Sequence, residues 1–164
     1  MSQEPQAQKA TIVVLAGSLD KVMAAFIIAT TAAAMGLQTT MFFTFWGLSA
    51  LKKNGPAGGG KRNWMQTMLS WMLPKGPASL PLSQLNMAGL GPLMLKKIMA
   101  EKKMATLPEL IATAQELDVR LIACQMSMDA MGIAREELLD EVEVAGAATY
   151  VGEAQHGRIN LFIS

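Results

Sequence analysis

The sequence predicts an α/β protein with a three-layer α/β/α sandwich and a mainly parallel sheet of about five strands. Short β-branched or apolar runs alternate with helical patterns along the chain, which is typical of a parallel sheet covered by helices. The length of 164 residues, with 51% of them hydrophobic, suits one domain with its own core. We therefore expect a single domain over residues 1–164, with a flexible N-terminus at residues 1–9.

The first part of the chain predicts two strands with a helix between them. Residues 11–16 form a short β-branched run that a Gly-Ser turn ends, which indicates a central strand. Ser18 can cap the next helix, at residues 19–35, and Asp20 lies favourably in its first turn. This helix is apolar on nearly all sides, so we expect neighbours on more than one side. Residues 38–44 predict the second strand.

Residues 52–91 predict an insertion that leaves the main sheet. A glycine-rich loop comes first, and a helical pattern follows at residues 61–73 before several prolines break the chain. We expect the large apolar side chains of this pattern at an interface: Trp64, Met68, Trp71 and Met72. Three interpretations stay open for them: packing on the protein's own body, a subunit or partner interface, and insertion into a membrane surface.

The rest of the chain returns to alternating helices and strands. Helical patterns at residues 92–103 and 106–117 precede a third strand at residues 119–123. Shorter helices are predicted at residues 127–131, 135–139 and 146–155. Two more strands are predicted at residues 142–145 and 158–163. Catalytic and binding groups gather at the carboxyl ends of parallel strands. The loops after the first three strands are therefore the candidate site.

The charges are distributed unevenly although the net charge is only +1. From residue 21 to residue 100 there are eight basic residues and no acidic one, and eleven acids with five bases follow. The near-neutral total predicts no nucleic-acid partner. The asymmetry can steer an anionic substrate, contact an anionic membrane or help subunits dock, and it also fits a solvated basic loop.

The predicted location is the cytoplasm. The N-terminal segment is polar and lacks the apolar stretch of a signal peptide, and a single cysteine suits a reducing compartment. The uncharged stretch at residues 22–51 is interrupted by threonines and a glycine, so a buried helix and strand fit it better than a membrane span. Membrane association through residues 61–73 stays open.

Cys124 is the only cysteine of the chain and the candidate catalytic residue. The sequence predicts it between a buried strand and a short helix, where backbone N–H groups and the helix dipole favour the thiolate. A lone cysteine forms no intrachain disulfide and no thiolate-rich zinc site. No metal site is predicted, and the choice is between an inert core cysteine and a one-thiol site.

The candidate loops supply the residues that we expect to line or support a pocket beside the thiol. They are Gly17, Ser18, Asp20, Thr44, Trp46, Gln125, Met126, Ser127, Met128 and Asp129. The methionines suit core packing, or a soft apolar pocket around a sulfur adduct. Flavin or nucleotide binding is the third hypothesis. The turn at residues 17–20 lacks the glycine spacing of a nucleotide-binding loop, which counts against it.

Four segments of the sequence resemble a known family. They are Ala-Gly-Ser-Leu-Asp-Lys after the first strand, Phe-Phe-Thr-Phe-Trp-Gly after the second, Ala-Cys-Gln-Met-Ser-Met-Asp-Ala-Met-Gly after the third, and Gly-Ala-Ala-Thr-Tyr near the end. Together they resemble the DsrE/DsrF-like proteins, in the branch with an enlarged central insertion. The resemblance implies a DsrE-like sandwich with flavodoxin-like topology and assembly into a homotrimer or homohexamer.

The resemblance also implies sulfur relay. Cys124 would carry sulfane sulfur as a persulfide, without a cofactor, from a sulfur-donor protein to a sulfur-acceptor protein. Since no acid–base pair lies beside the thiol in sequence, we expect a sulfur carrier or sulfurtransferase rather than an enzyme with rapid turnover. The alternatives are a non-catalytic module that docks on a membrane or partner, and a small-ligand-binding domain.

Overall fold

The structure is a computed structural model that describes residues 8–54, 63–84 and 90–164. Its centre is a five-stranded sheet in the order β4-β3-β2-β1-β5, and all neighbouring strands pair in parallel. The strands are β1 (Lys9–Val14), β2 (Gln38–Phe43), β3 (Arg120–Cys124), β4 (Glu143–Ala145) and β5 (Gly157–Ile163). The predicted α/β class and parallel sheet are confirmed.

Six α-helices and three 3-10 segments connect or cover the strands of the described residues. The helices are α1 (Leu19–Ala34), α2 (Trp64–Met72), α3 (Leu90–Glu101), α4 (Leu107–Glu116), α5 (Gln125–Met131) and α6 (Ala147–Ala154). The 3-10 segments are Phe45–Leu51, Pro77–Ser79 and Arg135–Glu137. Most of the predicted helices and strands therefore exist, with ends that differ by a few residues.

The start of the chain differs from its prediction. Strand β1 begins at Lys9, which pairs in register with Gln38, so the sheet includes the last residue of the segment expected to be flexible. The N–H of Gln38 also donates to the carbonyl of Gln8, over 2.9 Å. The strand extends backwards because β2 provides a parallel partner for it. Residues 1–7 lie outside the described part of the chain.

The two faces of the sheet are covered unequally. One face carries the main core, in which Ile12, Met41 and Leu121 pack with the buried sides of α1 and α4. The other face carries a smaller cluster formed by Val13, Phe42, Ile122 and Cys124, against which Ala145 of β4 and Tyr150 of α6 pack. Since successive side chains along a strand point to opposite faces of the sheet, neighbouring residues such as Ile12 and Val13 join different clusters.

The described part of the segment 52–91 contributes no strand to the sheet. It packs on the body of the protein, since Leu73 and Leu80 are both buried in the main core. Gln66 of α2 lies against Gly132, and its Nε2 donates to the carbonyl of Asp129 over 2.9 Å. Residues 55–62 and 85–89 of this segment lie outside the described residues.

Candidate functional site

Cys124 is the last residue of β3 and directly precedes α5. Its backbone is extended, with φ −71° and ψ 114°, and helical geometry begins at the next residue. Cys124 pairs in register with Ala145 of β4, so it lies at the edge of the sheet where the parallel strands end. The predicted junction of strand and helix is confirmed.

The thiol lies on the α6 face of the sheet, below the surface. The residue is only 7% exposed and belongs to the cluster with Val13, Phe42 and Ile122. Its side chain does not cap α5 with a hydrogen bond. Burial in an apolar cluster is common for free cysteines, so access to the sulfur is a central feature of this site.

A hydroxyl pair joins the loop after β2 to the helix after Cys124. Thr44 Oγ1 and Ser127 Oγ lie 2.7 Å apart, and Ser127 is 1% exposed. Ser127 is one of the residues that we expected to line or support a pocket beside the thiol, and the bond that its hydroxyl makes is to Thr44. The pair holds α5 against the end of β2, and therefore positions the helix that begins next to the thiol.

Gln125 and Asp129 bond to each other on the outer side of α5. Gln125 Nε2 donates to Asp129 Oδ1 over 2.8 Å, and both residues are exposed. The spacing of four residues places them one helical turn apart. The Asp129 carboxylate therefore does not point inward toward the thiol.

The predicted methionine pocket does not form around Cys124. Met126 is 76% exposed, whereas Met128 is buried in the main core on the opposite side of the sheet from the cysteine cluster. The helical rotation of 100° per residue separates these two side chains. Met128 therefore packs in the core, which is one of the two roles considered for the methionines. Met126 lies on the surface, two residues after the thiol.

Gly17, Ser18 and Trp46 come together as predicted, but at a groove of their own. This groove has a volume of about 360 Å³. Its other lining residues are Ser49, Leu69, Met72, Leu73, Pro74 and Pro81. A Cβ atom at Gly17 would lie 2.8 Å from the Trp46 carbonyl oxygen, so only glycine permits this close approach. Because Cys124 does not line the groove, these three residues do not form a wall facing the thiol.

Asp20 contacts the insertion rather than the thiol. Its Oδ1 accepts from the N–H of Ser83 over 2.9 Å, and its Oδ2 accepts from the Ser83 hydroxyl. Burial works against ionisation, but these bonds, with a contribution from Ser18, outweigh it and lower the pKa of Asp20. The Ser18 side chain does not cap α1, and the N–H of Leu19 donates to the Pro81 carbonyl over 2.7 Å.

An ion-pair network near the amino ends of β1 and β3 is a feature that sequence analysis missed. Glu153 of α6 binds Lys9 Nζ at 2.6 Å and Arg120 at 2.8 Å, and Arg120 also binds Glu143 at 2.8 Å. Hydrogen bonding by Lys9 lowers the pKa of Glu153, and hydrogen bonding with Glu143 raises the pKa of Arg120. The residues are up to 144 positions apart in sequence, so no local pattern signals the network.

Helix α2 presents the four residues that we expected at an interface. Trp64 and Trp71 are 70% and 79% exposed, and Met68 and Met72 are exposed as well. The inner side of the helix carries buried Ser70 and half-buried Leu69, which packs against the main core. The structure therefore shows an outward apolar face of α2, defined by Trp64, Met68, Trp71 and Met72.

Two features are absent from the described residues. Across residues 8–54, 63–84 and 90–164, no helix has the length and apolar character needed to span a membrane. The same residues contain no group of three or more His, Cys, Asp or Glu side chains that could hold a metal ion.

Comparison with known proteins gives a consistent family. The model of the DsrE/DsrF/DrsH-like family matches residues 6–162. The chain is 44% identical to the uncharacterized protein YrkE of Bacillus subtilis over 160 residues, which cover 96% of this chain and 98% of YrkE. It is 38% identical to the sulfur carrier protein DsrE2 of Allochromatium vinosum over 161 residues, covering 95% and 98% of the two chains.

The fold has a counterpart among solved structures. The crystal structure of the ychN protein from E. coli matches with a TM-score of 0.54 and 11% identity, over 95% of this chain and 100% of the other. At this identity the likeness concerns the fold, which agrees with the parallel sheet and its flanking helices. From the family model and the two full-length relatives, the chain belongs to the DsrE/DsrF/DrsH-like family.

Proposed function

We propose that this protein is a sulfur carrier that holds sulfane sulfur on Cys124. Membership of the family and the 38% identity to a protein named as a sulfur carrier support a sulfur-relay role at the level of the family. The observation that carries the proposal for this chain is the position of Cys124. The only thiol of the sequence lies at the carboxyl edge of a parallel sheet, where a helix begins.

The transfer requires two displacements at sulfur. The Cys124 thiolate attacks the outer sulfur of a donor persulfide R–S–SH, forms a new S–S bond and releases R–S⁻. The product, Cys124–S–SH, keeps the proton on the transferred sulfur. An acceptor thiolate then attacks this outer sulfur, takes it as A–S–SH and returns Cys124 to the thiolate. The two steps balance without an added oxidant or reductant.

The polar groups near Cys124 suit a carrier more than a self-contained enzyme. Ser127 bonds to Thr44, and Gln125 bonds to Asp129, so these side chains hold α5 in place. In a relay, the donor and acceptor proteins supply thiols of their own. We therefore place the selectivity of transfer in protein contacts, and no cofactor takes part in the proposed steps.

The first test measures sulfur loading by mass spectrometry of the intact protein. After incubation with polysulfide, we expect additions of about 32 Da per sulfur atom that a reductant removes, and peptide mapping should place them at Cys124. Cys124→Ser should show none of these additions. The matched control is Ser79→Ala, which removes an exposed hydroxyl away from the site, keeps the thiol and should still load. Equal loading of Cys124→Ser, or no adduct on the wild-type protein, would refute the carrier proposal.

A second proposed role concerns docking by the outward apolar face of α2. The partner proteins of a relay must bind near Cys124, and α2 contacts α5 through Gln66, which bonds to the carbonyl of Asp129. Exposed tryptophan and methionine side chains are enriched in protein interfaces. We propose that this face binds a second copy of the chain, in a homotrimer or homohexamer, next to the site where relay partners must dock. Contact with a membrane surface is the competing outcome.

Replacing Trp64 and Trp71 together with serine tests this role. The variant should lose self-association in sedimentation analysis, because two large apolar side chains leave the contact. Thr67→Ala, on the same helix but outside the face, is the control and should associate like the wild-type protein. Wild-type protein that is monomeric and binds vesicles containing anionic lipid, with the binding lost in the double variant, would replace the protein interface with a membrane contact.

A further inference from the structure

Helix α6 and the end of β4 cover the face of the sheet that carries Cys124. Ala145, the register partner of Cys124, is followed by Gly146 and then by α6. Ala145 and Tyr150 pack against the cluster that contains the thiol. Ala145 and Tyr150 are therefore the partly buried side chains that this segment adds to the cluster of the thiol.

The packing of α6 is weak for a helix that covers a core. Among its eight residues none is buried, and only Tyr150, Glu153 and Ala154 are half-buried. Its N-cap is Gly146, which offers no side-chain cap, and Gly152 lies in its interior, where glycine disfavours a helix. Segments with so few buried apolar contacts open locally at a lower free energy than the core does.

Tyr150 and Glu153, on the inner side of α6, make its main side-chain contacts, and Asn160 Nδ2 also donates to the Ala154 carbonyl over 3.3 Å. The hydroxyl of Tyr150 lies 3.4 Å from Thr11 Oγ1. The ring of Tyr150 is 5.3 Å from the ring of Phe42. One turn later, Glu153 forms ion pairs with Lys9 and Arg120 at 2.6 and 2.8 Å. The spacing of three residues places Tyr150 and Glu153 on the same side of the helix. The carboxylate of Glu153 thus connects α6 to two strands, β1 and β3.

We propose that α6 is a lid that opens to expose Cys124, and that the ion pairs of Glu153 are its latch. The inference uses the proposed function only in assigning Cys124 as the carrier, because opening concerns the accessibility of the thiol. With the lid closed, the persulfide is shielded from small thiols in solution. With the lid open, the sulfur becomes reachable by the thiolate of a donor or an acceptor.

Native-state alkylation of the full chain measures the opening. With iodoacetamide, the wild-type thiol should react far more slowly than free glutathione. Glu153→Gln removes the latch charge and should raise the rate by about five-fold, as expected for the loss of partly exposed ion pairs. Gly152→Ala favours the helix and should lower the rate by about five-fold, since a Cβ at Gly152 meets open space. The control Glu116→Gln, at an exposed position of α4, should react like the wild type.

Urea and salt separate a local opening from global unfolding. Below the unfolding transition, a lid gives an alkylation rate that depends weakly on urea, because little surface is exposed when it opens. High salt should raise the wild-type rate by screening the latch, and should leave Glu153→Gln unchanged. A rate that follows global unfolding in every variant, or a wild-type thiol as reactive as glutathione, would overturn the lid.

Different results would refute the lid proposal and the carrier proposal. If the rates change as expected but polysulfide adds no sulfur, the lid stands and the carrier proposal falls. If sulfur loads on Cys124 while Glu153→Gln, Gly152→Ala and wild-type protein alkylate at one rate, the carrier stands and the lid is overturned.

Discussion

Lys52→Met is expected to lower the free energy of unfolding by about 3–5 kcal/mol, the cost of breaking a buried ion pair on one side. Lys52 Nζ lies 3.3 Å from Glu137 Oε2, and the two side chains are 5% and 4% exposed. The other oxygen, Glu137 Oε1, accepts from the N–H of Ala134 over 3.0 Å. Replacement of the lysine would leave the Glu137 carboxylate buried away from water without this neighbouring cation. Urea denaturation at neutral pH measures the loss.

A second substitution distinguishes lost charge balance from lost packing. The double variant Lys52→Met with Glu137→Gln should recover most of the stability, because glutamine is neutral and keeps an oxygen for Ala134. The matched control is Lys53→Met, whose partner Asp140 is exposed, and exposed ion pairs contribute little. If Lys52→Met is no more destabilising than Lys53→Met, the buried pair is not a major contributor to stability.

This ion pair matters for the site because it joins two of its loops. Lys52 follows the 3-10 segment Phe45–Leu51, and Glu137 lies in the segment that follows α5. The backbone continues the link, since Lys53 N–H donates to the Glu137 carbonyl over 2.8 Å. The pair therefore connects the segment that follows Thr44 with the segment that follows α5.

Gly47→Ala is expected to destabilise the fold by about 3 kcal/mol, at the upper end of overpacking costs. A Cβ atom at Gly47 would overlap the carbonyl oxygen of Val14 and lie 3.1 Å from its carbon. These are backbone atoms of β1, an inner strand of the sheet, and the same carbonyl accepts from the N–H of Thr44 over 3.1 Å. Relief would therefore have to move the loop that holds Thr44 and Trp46.

Thermal or urea denaturation measures this effect, and Gly152→Ala is its matched control. Gly152 has open space where a Cβ would be, so that variant should be at least as stable as the wild-type protein. If Gly47→Ala matches Gly152→Ala in stability, the loop after β2 is free to shift, and the close approach of Gly47 to β1 is not required.

Local patterns in the sequence determined most of the secondary structure. The β-branched run gave β1, and the Thr106 capping box is present, with the N–H of Thr106 donating to Glu109 Oε2 over 2.7 Å. Gly132 ends α5 in the left-handed conformation, with φ 66°. Each of these signals depends on residues only a few positions apart. The strand–helix junction at Cys124 was predictable for the same reason.

The tertiary structure decided how the candidate site is composed. The sequence placed Gly17, Trp46 and Met128 near Cys124 because their loops share one edge of the sheet. In the fold, Gly17 and Trp46 line a separate groove, and Met128 belongs to the main core. Two residues at the same edge of the sheet can lie on opposite faces of it. The face depends on the alternation of side chains along a strand and on their rotation around a helix.

The sequence by itself determined the parallel α/β fold, the strand–helix junction at Cys124 and the family resemblance. Only the tertiary structure decided that Tyr150 of α6 packs against the cluster of the thiol, that Glu153 connects Lys9 with Arg120, and that residues 81–83 contact the start of α1. Hydrophobic periodicity and capping are properties of neighbouring residues. The ion pairs of Glu153 instead join residues 33 and 144 positions apart, and the hydrogen-bonded Asp20 and Ser83 are 63 positions apart. These residues meet only when the chain has folded.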